Sequence, residues 1–210
     1  MANNNNIYKM SNAGGFKSLA RYQDMLAGNS TWNPWEPVGA YEQIANIIVP
    51  SGGAASISFV GIPQTYTHLQ VRGIAKSPNG GPALTIQYNG DATNGNYKSQ
   101  YLEGNGSSIY AGVGGTNTYG YVGYPAPGSA NSSMRSATVI DILDYTNTNK
   151  NKTTRSFTGY DTNNTVDGYV DLFSNLWMST AAINSLTLAI QGELFVVNSQ
   201  FALYGIKGGN

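Results

Sequence analysis

The chain has one histidine, His68, in the stretch Tyr-Thr-His-Leu-Gln-Val-Arg-Gly-Ile. Imidazole is the side chain best suited to moving a proton near neutral pH, but a general base needs a nucleophile or a second group to act on. No serine and no second histidine is tied to it by spacing, and cysteine is absent, so its position beside Gln70 and Arg72 predicts a hydrogen-bonded structural or interface histidine. Asp141 and Asp144, in Ile-Asp-Ile-Leu-Asp-Tyr, are of the right type for the carboxylate pair of a glycoside hydrolase. Three residues apart on a strand, however, they project to opposite faces and cannot flank one bond.

Two further patterns bear on ligands. Asn-Gly-Asp-Ala-Thr-Asn-Gly-Asn, residues 89–96, supplies oxygen ligands at a spacing like that of a calcium loop. The central glycine falls elsewhere, though, and Gln100 occupies the place of the closing glutamate, so the segment reads as a turn. No glycine-rich loop leads into Lys-Ser/Thr or opens a helix after a strand, which removes the phosphate-cradling motif. No catalytic residue, metal site or cofactor is expected. The tyrosines Tyr119, Tyr121 and Tyr124, with Tyr97, Tyr101 and Tyr110 near them in sequence, allow two readings. They are core or subunit-interface rings with wet hydroxyls, or they form a ring surface that stacks on sugars of a surface polysaccharide.

Positioning such residues falls to an unusual composition. The 210 residues carry 11 basic and 11 acidic side chains, only 10% charged in all, with 26 glycines and 15 tyrosines. A neutral surface lacks the electrostatic footprint that nucleic acid or anionic lipid requires, and no apolar run reaches the 18 or so residues of a membrane span. Neither a nucleic acid nor a membrane is expected as partner. The N-terminus, Met-Ala-Asn-Asn-Asn-Asn-Ile-Tyr-Lys-Met, has no basic and apolar regions of a secretory signal.

Residues 14–27 space Phe16, Leu19, Tyr22, Met25 and Leu26 at intervals of three and four, which predicts one short helix ended by Gly28. Trp32 and Trp35 follow in a segment that Pro34 and Pro37 keep extended. Leaving two indoles in water is costly, so residues 1–40 read as an arm. It grips either its own sandwich or a neighbouring subunit through Phe16, Leu19, Tyr22, Met25, Trp32 and Trp35.

From residue 41 to 210 the period becomes two, with turn residues every 8 to 12 positions, the pattern of an all-β sandwich or barrel. Twelve strands are expected, over 42–49, 55–62, 66–75, 83–89, 97–103, 107–113, 118–124, 136–145, 153–160, 168–177, 183–190 and 199–207. Leu69 and Val71 should face inward, as should Leu186, Leu188 and Ile190. Residues 89–133 read as long loops with short strands, exposed at a tip. The architecture expected is an antiparallel β-sandwich of jelly-roll type preceded by the arm. Its last strand, 199–207, should pair far upstream with 66–75, and Gly205 should mark a crowded site.

Several stretches resemble a known family. Ile-Pro-Gln-Thr-Tyr-Thr-His-Leu-Gln-Val-Arg-Gly-Ile-Ala (62–75), Ile-Asp-Ile-Leu-Asp-Tyr-Thr-Asn-Thr-Asn-Lys-Asn-Lys-Thr-Thr-Arg-Ser (140–156), Leu-Trp-Met-Ser-Thr-Ala-Ala-Ile-Asn-Ser (176–185) and Phe-Ala-Leu-Tyr-Gly-Ile-Lys-Gly (201–208) are similar to small virion proteins of tailed bacteriophages. The resemblance implies a non-enzymatic component of the particle, in capsid decoration or a tail fibre. Such a protein is made in the host bacterial cytoplasm, contacts other virion proteins and forms a homo-oligomer, expected to be a trimer. It transfers no functional residues.

Overall fold

A computed structural model describes residues 40–162 and 168–207. The expected arm, with its helix and with Phe16, Leu19, Tyr22, Met25, Trp32 and Trp35, lies outside these residues. Among the described residues the regular structure is twelve strands: β1 (Tyr41–Ile48), β2 (Ser56–Val60), β3 (His68–Ala75), β4 (Leu84–Tyr88), β5 (Tyr97–Gly104), β6 (Ile109–Asn117), β7 (Gly120–Gly123), β8 (Ser136–Ile142), β9 (Lys152–Asp161), β10 (Gly168–Trp177), β11 (Ser185–Ile190) and β12 (Gln200–Ile206). They form two antiparallel sheets packed as a β-sandwich, one of eight strands in the order β1-β12-β3-β8-β9-β10-β5-β6, the other of four in the order β2-β11-β4-β7. A regular jelly roll divides eight strands evenly, whereas here the larger sheet extends well beyond the smaller.

The alternation of side chains sets which face is inside. Leu69 and Val71 on β3, Ile140 and Ile142 on β8, and Phe201 and Leu203 on β12 are buried against Ile57 and Phe59 of β2, Leu84 and Ile86 of β4, and Leu186, Leu188 and Ile190 of β11. Each such side chain contributes about 1.5–3 kcal/mol by leaving water. This apolar half of the interior lies under β12, β3 and β8.

The closing strand is where the alternation places it. β12 runs antiparallel to β3 in a register that sets Gln200 against Ile74 and Ile206 against His68. Gly205 sits under the ring of Tyr66, and a Cβ there would come within 2.4 Å of ring carbons. The crowding that a glycine in a strand signals therefore comes from an aromatic side chain.

The short strands expected at 97–103, 107–113 and 118–124 are present as β5, β6 and β7, and more of residues 89–133 is regular sheet than long loops would leave. β5 and β6, eight and nine residues long, pair as an antiparallel hairpin at the end of the large sheet, and β7 returns to the small one. The many Gly, Asn and Ser residues suggest coil. In the structure Gly112 and Gly114 instead lie in β6, where Tyr101 and Tyr121 occupy the room a side chain would take.

Candidate functional site

His68 is half-buried, and its Nδ1 accepts the backbone N–H of Asp144 at 2.9 Å. The ring proton therefore sits on Nε2, a structural arrangement of the kind the sequence suggests. Asp144 is not on a strand. β8 ends at Ile142, and Asp144 occupies the following turn with φ of 47°. It pairs with Lys150, whose hydrogen bond is the chief cause holding its carboxyl below the usual range. Asp141 stays on β8, accepts from Gln70 at 2.7 Å and lies 3.6 Å from Arg155. The premise that both acids sit on one strand is thus corrected, and each carboxylate has its own partners.

The turn after β4 is held from within. Asp91 accepts the Trp177 indole N–H at 2.7 Å, the Asn96 amide at 2.8 Å and the Thr93 N–H at 2.9 Å. Burial works against its charge, but these donors prevail and keep its carboxyl far below the usual range. Asn89, at φ 52°, accepts from the N–H groups of Asn184 and Ser185. Asn89 and Asp91, the residues that suggested calcium ligands, therefore fasten this turn to β10 and β11.

Tyr119, Tyr121 and Tyr124 are all partly buried. The rings of Tyr119 and Tyr121 meet edge to face at 84°, and Tyr119 Oη accepts from Gln191 at 2.7 Å. Tyr124 belongs to another group, with Tyr169 and Phe173 at centroid distances of 6.3 and 6.0 Å. The three tyrosines do not share one plane. Elsewhere, a recess of about 250 Å³ beside Gly52, Pro78, Leu194 and Val197 is lined by no titratable side chain.

The structure also brings together groups that sequence reasoning missed. β9 is built inside out: Lys152, Thr154, Ser156 and Thr158 point into the sandwich, and Phe157 points away. Asp171 and Asn175 on β10 and Ser99 on β5 join this polar interior, which fastens β7 to the large sheet. Thr158 donates to the Val122 carbonyl at 3.0 Å, and Asn175 to that of Tyr121 at 2.6 Å. Gly123, at φ 134°, lies so close to Thr158 that a Cβ would meet its hydroxyl at 2.2 Å. Lys152 is fully buried, and its ammonium donates to the carbonyls of Asn147, Lys150 and Thr180 at 2.6, 3.1 and 3.0 Å.

Asp171 stands apart within this layer. It is 0% exposed, and neither carboxylate oxygen has a hydrogen-bond partner. The register sets it directly across from Glu103 on β5 and Thr158 on β9. Burial first, and then the like charge of Glu103, push its carboxyl up to about 7. Glu103 is also raised by burial, and Tyr124 is pushed up to about 12 by burial and then by these two acids.

The outer face of the large sheet is the second unusual surface. Val139, Phe157, Leu172 and Leu102 form one row across β8, β9, β10 and β5, with Arg72 of β3 at its end. Ile74, Ala137, Gly159, Val170, Gly104 and Ile109 form the next. Phe157 is 57% exposed, Val170 56%, Leu102 50% and Ile109 80%. The adjacent row, Gln70, Asp141, Arg155, Ser174 and Gln100, is polar. A broad apolar strip therefore faces outward with one hydrophilic border.

No protein-family model matches the chain, and comparison with curated proteins and with solved structures found no match.

Proposed function

We propose that this chain is a non-enzymatic structural component of a bacteriophage particle, assembled through the outer face of its large sheet against further copies of itself. The particle is suggested by the resemblance of residues 62–75, 140–156, 176–185 and 201–208 to small virion proteins. Assembly rests on one observation, the two apolar rows through Phe157 and Val170. Within them Phe157, Val170, Leu102 and Ile109 are half exposed or more, a continuous apolar strip rather than the single scattered residues of an ordinary surface.

Another copy suits this face better than a charged partner. Apart from Arg72 at the β3 end, the two rows carry no charge, and the bordering Asp141 and Arg155 have opposite signs, so a symmetry axis can set Asp141 of one copy against Arg155 of the next. The stoichiometry proposed is a trimer, with residues 1–40 attaching the assembly to the particle. Sedimentation of the full chain tests this: wild type should run as an oligomer, and Phe157→Lys with Leu172→Lys should run as a folded monomer. A monomeric wild type would refute the proposed role of this face.

A further inference from the structure

We propose that Asp171 and Glu103, with Ser156, hold a hard divalent cation of the calcium type inside the sandwich, beneath β7. Three observations point there independently of the outer face. Asp171 is fully buried with both oxygens unpartnered. Ser156, diagonally adjacent on β9 and 1% exposed, has a hydroxyl that is likewise unpartnered. Glu103 lies across the strand pair on the same inner face and adds a second negative charge.

Burying one carboxylate without a partner costs several kcal/mol, and a like charge beside it adds to that cost. A proton shared between the two acids would not satisfy the geometry, since Asp171 makes no hydrogen bond to Glu103 or to any other group. A cation of charge two offsets both carboxylates and gives each unpartnered oxygen a ligand role. The donors are all oxygens, which selects calcium or magnesium over zinc or copper. Magnesium prefers a strict octahedron and retains waters, so an aspartate this deeply buried favours calcium.

Affinity follows from the charge count. Among the described residues no group of three or more His, Cys, Asp or Glu side chains converges, so this site has two acids and a hydroxyl. Fewer charged ligands place the dissociation constant at the weak end, about 10⁻⁴–10⁻³ M.

The experiment uses the full chain stripped with EDTA. Terbium is the first probe, because Tyr124 lies close enough to both acids to feel their charge and so to sensitise its luminescence on tyrosine excitation. The expected result is terbium emission displaced by calcium, together with a rise in Tm of several degrees at calcium well above its dissociation constant. Both should be lost in Asp171→Asn and strongly reduced in Glu103→Gln. Glu103 is only partly buried, so its variant keeps the test decisive if Asp171→Asn fails to fold. No calcium response in wild type, as when water alone satisfies Asp171, overturns the proposal. So does an equal response in wild type and Glu103→Gln.

Discussion

Asp171→Asn keeps the size of the side chain and removes its titration, so it isolates one electrostatic effect. In the folded chain the carboxyl titrates near 7, against an ordinary value of 3.8. Between those two pH values the native state keeps the proton and the unfolded chain releases it. Wild-type stability must then fall as pH rises, by about 1.4 kcal/mol per pH unit. Across the window this is on the order of 4 kcal/mol, and below about pH 4 it vanishes because both states are protonated. Of the groups around Asp171, Glu103 is raised in the same sense, and Tyr124, pushed up to about 12, stays outside the window. The assay is urea unfolding in EDTA at several pH values for both proteins. The variant should gain on wild type steadily from about pH 4 to pH 7 and then level off. Parallel curves would show that Asp171 titrates normally and that the inner acid pair is misread.

Three more perturbations test the packing. Lys152→Met keeps the aliphatic stem but leaves the carbonyls of Asn147, Lys150 and Thr180 without their donor, and should cost about 1–3 kcal/mol in urea unfolding. Gly205→Ala forces the Tyr66 ring to move and should cost about 1–3 kcal/mol, with Tyr66→Ala restoring part of it in a double-mutant cycle. Removing residues 199–210 deletes the strand between β1 and β3 together with buried Phe201 and Leu203, so the truncated chain should fail to fold by circular dichroism.

Alternation and turn residues were enough to place all twelve strands and the pairing of β12 with β3, because each strand on the apolar side buries one clear face. In β11, Leu186, Leu188 and Ile190 leave only one choice of interior. The middle of the chain was harder to read, since a glycine that makes room for a tyrosine ring looks the same in sequence as one in a coil. The acid pair was out of reach: Asp171 and Glu103 become neighbours only through the β5 to β10 pairing. One local signal was present. The run Lys-Thr-Thr-Arg-Ser-Phe-Thr puts one aromatic among polar residues, and a strand of that kind in the middle of a sheet turns its polar side inward and its phenylalanine out. The same inversion creates both the buried acid layer and the outer apolar rows.

The most direct measurement is electron cryomicroscopy of the phage particles proposed to carry this chain. Copies should be found on the particle with Phe157 and Leu172 buried between subunits. Copies whose large sheet faces solvent, or particles from which the chain is missing, would contradict the proposed role.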